Sequence, residues 1–321
     1  MKKFYFLMLC LLTLSVSAIA QIVKSVSSPD GNIKVDVRIG NGITYDVYCG
    51  EEKVLTDCRM SMDIEGNVLG SLPKLQSVKR QKVNDVKRPF LKLKFAEVPN
   101  NYNEMTLVMK GNYSVVFRAY NDGLAYRFVT SLKGEVKVNH EDITVFFPQD
   151  AQLVLQQSDR YRTSYEERYS FVKSSEWLSF QKMAHYPVLA ITSGGTKILM
   201  SESDLCDYPA PFFRSNDANG FSSVFPRVPA VEKPRSDKSN DVLLRHPYIA
   251  KTQGTRSFPW RYFVIAKDEA ALVTNTMTCR LAQDSKLQDV SWIVPGQASW
   301  EWWNGAVPYG PDVNFKAGLN V

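Results

Sequence analysis

Short runs rich in Val, Ile, Phe and Tyr, broken every few residues by Gly, Pro, Asn or Asp, fill the chain from Gln21 to about Ala282. That grammar restricts the fold to strands joined by turns. Ile33 to Ile39 alternates strictly between apolar and polar residues. A strand does this when one face meets a core and the other meets water. Turn chemistry precedes it at Pro29, Asp30, Gly31 and Asn32. Further strands are predicted at Leu91 to Phe95, Met105 to Met109, Tyr113 to Ala119, Ala125 to Val129, Val136 to Val138, Thr144 to Phe147 and Gln152 to Gln156. So many strands with few helical windows predict an all-β fold, a large antiparallel β-sandwich. Asp268 to Leu281 is the clearest helix, with Asp268 as its cap. Pro226 to Asn240, rich in Pro, Lys, Ser and Asp without an apolar period, reads as a long loop or lid.

Residues 1–20 read as a signal peptide: Lys2 and Lys3 form a basic start, an apolar run follows from Phe4 to Leu14, and Ala18-Ile19-Ala20 is a small-x-small cleavage site. The expected mature chain begins at Gln21 and is periplasmic or secreted. Because no later stretch approaches the roughly 18 consecutive apolar residues of a spanning helix, no membrane anchor is expected after cleavage. Loss of Lys2 and Lys3 lowers the formal net charge from +6 to +4. The remaining charges are interspersed, and the basic residues from Lys79 to Arg88 are diluted by valines, so no nucleic-acid partner is expected.

Cys49, Cys58, Cys206 and Cys279 are too few for a disulfide scaffold. A hairpin turn at Gly50 to Lys53 sets Cys49 opposite the start of the next strand, which leaves Cys58 too far along it to bridge. No His/Cys cluster has zinc spacing, and no nucleophile elbow, HExxH motif or phosphate loop occurs. His140, His185 and His246 are widely separated. Glu202, Asp204 and Asp207 form an acidic constellation that reads as structural, held at a turn by the following Tyr208-Pro209. Trp260 and Arg261 read as sandwich core and a buried ion pair.

Six segments, in order, resemble glycoside hydrolase family 97. They are Ser28 to Lys34 with Ile43 to Val47, Arg118 to Phe128, Tyr165-Glu-Glu-Arg-Tyr169, Glu202 to Pro209, Thr255 to Arg261, and Gly296 to Asn304. The resemblance spans essentially Gln21 to Asn304. It implies cleavage of α-glucosidic or α-galactosidic bonds by an enzyme in which a β-supersandwich, here 21–285, precedes a (β/α)₈ barrel. Residues 286–321 would be the start of that barrel, its first strand near Ala298 to Trp302.

A complete barrel takes about 250 residues, so the chain is expected to be the front part of something larger. Both carboxylates that glycosidic cleavage requires would belong to the missing barrel, and no catalytic residue is expected here. The resemblance further implies that Glu166, with Glu167 as the neighbouring alternative, supplies one ligand to a calcium ion completed by the barrel. It places His185, Tyr186 and Pro187 at the sugar pocket. Trp302 offers an indole face on which a pyranose could stack, whereas Trp300 is assigned to barrel core. The expected partner is an oligosaccharide or polysaccharide. A self-sufficient carbohydrate-binding scaffold is the competing reading.

Overall fold

The computed structural model describes residues 21–89, 94–236 and 239–297. The leader at 1–20, the Ala298 to Trp302 segment and most of the Leu91 to Phe95 run lie outside these residues. A meander opens the chain: β1 (Ile22–Ser27), β2 (Ile33–Ile39), β3 (Ile43–Cys49), β4 (Glu52–Ile64) and the short β5 (Asn67–Leu69) pair antiparallel in sequence order. The expected alternation is present in β2, where Ile33, Val35, Val37 and Ile39 are buried and the residues between them are not. A tight turn at Gly50, φ 60°, joins β3 to β4 and pairs Cys49 with Glu52 and Tyr45 with Cys58. Both cysteines are free thiols, as the register requires.

The long ribbon β6 (Leu75–Lys87) and β7 (Val98–Met109) leads through β8 (Tyr113–Tyr120) into β9 (Gly123–Phe146). Three runs predicted as separate strands are parts of β9, a single strand of 24 residues. They look separate because Lys133 to Glu135 lie exposed where β9 leaves its partner β8 and has not yet met β4, and Gly134 takes a positive φ of 67° there. The next strands are β10 (Gln152–Ser158), β11 (Tyr169–Lys173), β12 (Met183–Ile191), β13 (Lys197–Ser203), β14 (Phe212–Ser215) and β15 (Gly220–Val224).

The segment read as a lid is instead largely a hairpin, β16 (Pro229–Ser236) with β17 (Ser239–Arg245), forming its own two-stranded sheet. Both faces of it are largely exposed, so no apolar period marks it. Pro229 and Pro234 are tolerated because such a ribbon has free edges. Finally β18 (Ala250–Ser257) and β19 (Trp260–Ala266) run back along β9. The predicted helix splits into α1 (Glu269–Val273), capped by the Asp268 carboxylate on the Ala271 N–H, and α2 (Met277–Leu281). No helix among the described residues is long and apolar enough to cross a membrane.

The result is an all-β antiparallel sandwich with one dominant apolar core between its layers. A second cluster, around Tyr102, Tyr120, Trp260 and Tyr262, is closed by Met277 and Leu281 of α2. Strand pairing also makes a closed circuit: β9 to β19, β19 to β13, β13 to β12, β12 to β14, β14 to β15, and β15 back to β9. β12 closes it by changing partner, with Val188 to Ile191 on β13 and Ala184 and His185 on β14. The switch falls at Tyr186-Pro187, a cis peptide.

One buried acid in the opening meander gives a pH prediction. Burial opposes ionisation of Asp46, but Arg38 donates to it at 2.7 and 2.9 Å, the Asp57 N–H at 2.8 Å and Lys53 at 3.0 Å. Together these hold its carboxyl well below the usual carboxylate range. A depressed folded pKa contributes stability that is present above the unfolded value of about 3.9 and is lost as pH falls through the folded one. Asp46→Asn is therefore expected to cost about 1.5–3 kcal/mol near neutrality, the worth of hydrogen bonds to a charged group. In urea titrations across pH the two proteins should converge only below about pH 4. A gap that stays constant into stronger acid would contradict the assignment.

Candidate functional site

The loop between β10 and β11 carries Thr163, Tyr165, Glu166 and Glu167 to the edge of the circuit, next to the start of β12. Its turn depends on Tyr165 holding a φ of 60°, a left-handed conformation that costs a non-glycine residue on the order of 1 kcal/mol. That turn separates the two adjacent glutamates. Glu167 is partly covered and lies 3.4 Å from His185 Nε2, whereas Glu166 is exposed and has no hydrogen bond or ion pair among the described residues. The Thr163 hydroxyl and the backbone N–H of Glu167, with His185 beyond them, hold the Glu167 carboxyl below the usual range.

His185 is 1% exposed. Its Nδ1 lies 3.0 Å from the Tyr186 carbonyl, and the Tyr165 ring covers it edge-on at 4.6 Å between centroids. The phenol hydroxyl of Tyr186 is buried without a partner among the described residues, and burial raises its pKa far above the ordinary value. Pro187 is exposed on the same strand. Trp302 lies outside the described residues. The structure therefore brings together His185 and Glu167, adds Tyr165, turns the Tyr186 ring into the core against Phe213, and leaves Glu166 exposed. Among the described residues no three His, Cys, Asp or Glu side chains form a group that could hold a metal ion. Calcium requires six to eight oxygens, and Glu166 by itself does not fit that demand.

Three strands of the circuit, β9, β13 and β19, hold a buried ion triad. Arg261 on β19 is fully buried and forks onto Glu141 of β9, Nε to Oε1 at 3.0 Å and a terminal nitrogen to Oε2 at 2.7 Å; its other terminal nitrogen bonds Glu202 of β13. Glu141 lies on β9 between the stretch paired with β18 and the stretch paired with β15. The expected buried pair thus exists, with Glu202 as a structural member of it. Glu141 had no signature in the sequence, because it follows a histidine in a stretch that reads as ordinary polar strand.

Burial raises the Glu202 pKa against the pull of Arg261. The phenol of Tyr165 is raised first by burial and then by the negative charges of Glu202 and Glu167. Asp204 and Asp207 are also tied down separately. Asp204 accepts from the Gln283 N–H at 3.1 Å, and Asp207 accepts from Thr252 at 2.8 Å. No acidic pair remains free in that constellation.

The pattern that defines the glycosyl-hydrolase 97 N-terminal domain matches residues 26–283. The chain belongs to this family. A retaining alpha-galactosidase of Bacteroides thetaiotaomicron is 34% identical over 335 aligned residues, covering 100% of this chain and 50% of the relative. A probable retaining alpha-galactosidase of Streptomyces bingchenggensis is 26% identical, covering 91% of this chain and 42% of that protein. The chain thus spans half or less of the length of these curated relatives. A glycoside hydrolase family 97 enzyme from Pseudoalteromonas sp. strain K8, solved in complex with acarbose, superposes with a TM-score of 0.70 at 20% identity over 85% of this chain and 40% of that one. At that identity the likeness speaks for the fold, and the family 97 sandwich is the fold found here.

Proposed function

We propose that this family 97 sandwich is the supporting half of an exported α-glycosidase acting on α-galactosidic or α-glucosidic bonds of an oligosaccharide or polysaccharide. The observation that carries the reading is the 34% identity to a retaining alpha-galactosidase along the whole chain. In this reading residues 1–20 direct export, 21–285 form the sandwich and 286–321 begin a (β/α)₈ barrel that supplies the carboxylate pair. His185, Tyr186 and Pro187, with Trp302, line the sandwich side of the sugar pocket. Tyr165 joins them, because its exposed ring offers a flat apolar face beside polar groups. For a sugar to reach His185, Tyr165 must move aside. Glu166 contributes one oxygen ligand to a calcium site whose other ligands come from the barrel.

Nitrophenyl α-galactoside and α-glucoside test the division of labour. The 321-residue chain is expected to show no turnover, and the same chain continued through a barrel should be active. Turnover by the short chain that vanishes in Glu202→Gln would place the chemistry in the sandwich and overturn the reading. Calcium should raise the melting temperature of the extended protein clearly and that of the short chain little, since stabilisation grows with the logarithm of ligand concentration over Kd. Glu166→Gln should remove most of that gain; if only Glu167→Gln does so, the ligand is the neighbour.

A further inference from the structure

A groove of about 430 Å³ opens between the β13–β14 connection and the base of the β16–β17 hairpin. Its apolar walls include Pro226, Val228, Pro229 and Ile249, and its cations are Arg227, Arg245 and Lys251. Among the described residues, three carboxylates of the groove and its surroundings are already engaged. Asp207 accepts from Thr252 and lies 3.7 Å from Arg256; Asp241 pairs with Arg162 at 3.1 Å; Glu135 takes Lys251 at 2.6 Å.

What remains is a set of unneutralised guanidiniums. The side chain of Arg227 is without a hydrogen bond or ion pair among the described residues, and the guanidinium of Arg245 donates only to the Arg227 carbonyl, at 2.5 Å. Arg214 donates to the carbonyls of Ser179 and Gln181 and pairs with no acid among the described residues. The Arg162–Asp241 pair ties the segment next to Tyr161 to the β17 strand that carries Arg245. The ring of Tyr161 in turn meets Phe212 edge-on at 5.2 Å, and Phe212 lies 5.8 Å from His185 and 6.3 Å from Tyr165. The basic groove therefore adjoins the candidate sugar site through a short aromatic bridge.

We propose that this groove binds the carboxylate of a uronic-acid residue in the saccharide, with Arg227 and Arg245 as its anion ligands. A guanidinium fork matches a carboxylate in plane and spacing. The proline and aliphatic wall suits the C–H face of the ring that bears it, and the volume lies within the range of small-ligand sites. The inference rests on the reading that this domain contacts carbohydrate. It adds that an acidic sugar in the chain is selected.

Calorimetric titration of the expressed chain with α-1,4-linked digalacturonate, with neutral α-1,4-galactobiose and with inorganic sulfate tests it. Digalacturonate should bind roughly tenfold more tightly than galactobiose, the worth of one hydrogen-bonded charged pair. Raising NaCl to about 0.5 M should erode the difference, because the groups are solvent-accessible. Arg227→Gln with Arg245→Gln should abolish it while leaving the melting temperature unchanged. Equal affinity for the acidic and neutral sugars, no binding of digalacturonate, or a preference that survives the double substitution would overturn the inference. Sulfate binding as tightly as digalacturonate would reduce the groove to a simple anion site and overturn the saccharide assignment. Binding of galactobiose, read separately, reports on the carbohydrate reading itself.

Discussion

Arg261→Met is expected to lower the unfolding free energy by about 3–5 kcal/mol, because it leaves buried carboxylates without their counter-ion. Glu141 and Glu202 approach Arg261 from two different strands, with side chains only 3% and 12% exposed. Removing the cation does not return these carboxylates to water. Glu202, whose pKa burial already raises, escapes the cost by taking up a proton, and without Arg261 its pKa should rise further. A folded pKa raised above the unfolded one gives stability that declines as pH rises between the two. The deficit of Arg261→Met should accordingly be largest near neutrality and shrink on acidification toward about pH 5. Replacing Arg261, Glu141 and Glu202 together by Met, Leu and Leu should restore much of the loss, since apolar substitutes for a whole buried triad are often neutral or better. Urea midpoints at several pH values measure all of this. A single-variant loss under about 1 kcal/mol, the level of a surface pair, would show that water reaches the triad.

Gly220→Ala is expected to be among the most damaging single-methyl additions in the sandwich. A Cβ built at Gly220 would lie 2.0 Å from the Val145 carbonyl oxygen and 3.0 Å from the Phe146 Cα. Both obstacles are backbone of β9, so no rotamer change relieves the clash, and β15 must part from β9. The loss should reach or exceed about 3 kcal/mol, the upper end of ordinary overpacking. Phe221 follows Gly220 and contacts Phe147, Trp177 and Phe213, so the near-ultraviolet circular dichroism of that aromatic group should weaken as well. At Gly296 an added Cβ meets nothing within 4 Å, and Gly296→Ala serves as the neutral control. An unchanged melting temperature in Gly220→Ala would mean that the β15 to β9 pairing is not formed.

Strand existence was legible in β2, β8 and β10, where one face is buried and the apolar residues mark it, but not in β18, whose buried face is Ala250, Thr252 and Gly254. It failed for β16 and β17, whose two faces meet solvent alike, and for the continuity of β9, where exposed residues between successive partners mimic a turn. The helix was found but not its interruption: Thr274 to Asn275 form a short break that local caps and the Asp122 contact of Asn275 support, a tertiary interaction invisible in the sequence. At the candidate site the segment Tyr165 to Tyr169 was identifiable, and so was the His185 strand. Which of two adjacent glutamates faces the histidine was not, since that depends on the left-handed turn at Tyr165, a conformation the residue type disfavours. Arg261 was legible as a buried ion, because a charged residue inside a run of aromatic and aliphatic strand positions must find a partner. Its partners come from β9 and β13, distant in sequence, and only the fold could name them.

The length of β9 bears on how such a chain is made. Five strands, β4, β8, β15, β18 and β19, pair along it. Synthesis delivers the two that precede β9 first, while the opposite edge stays unsatisfied until β15, β18 and β19 have emerged. Non-local pairing of this kind folds slowly, and an unpaired edge invites association in the interval. The nascent domain is therefore committed to waiting until Val264 emerges, and a translocating chain or a chaperone that shields the β9 edge would protect it during that delay.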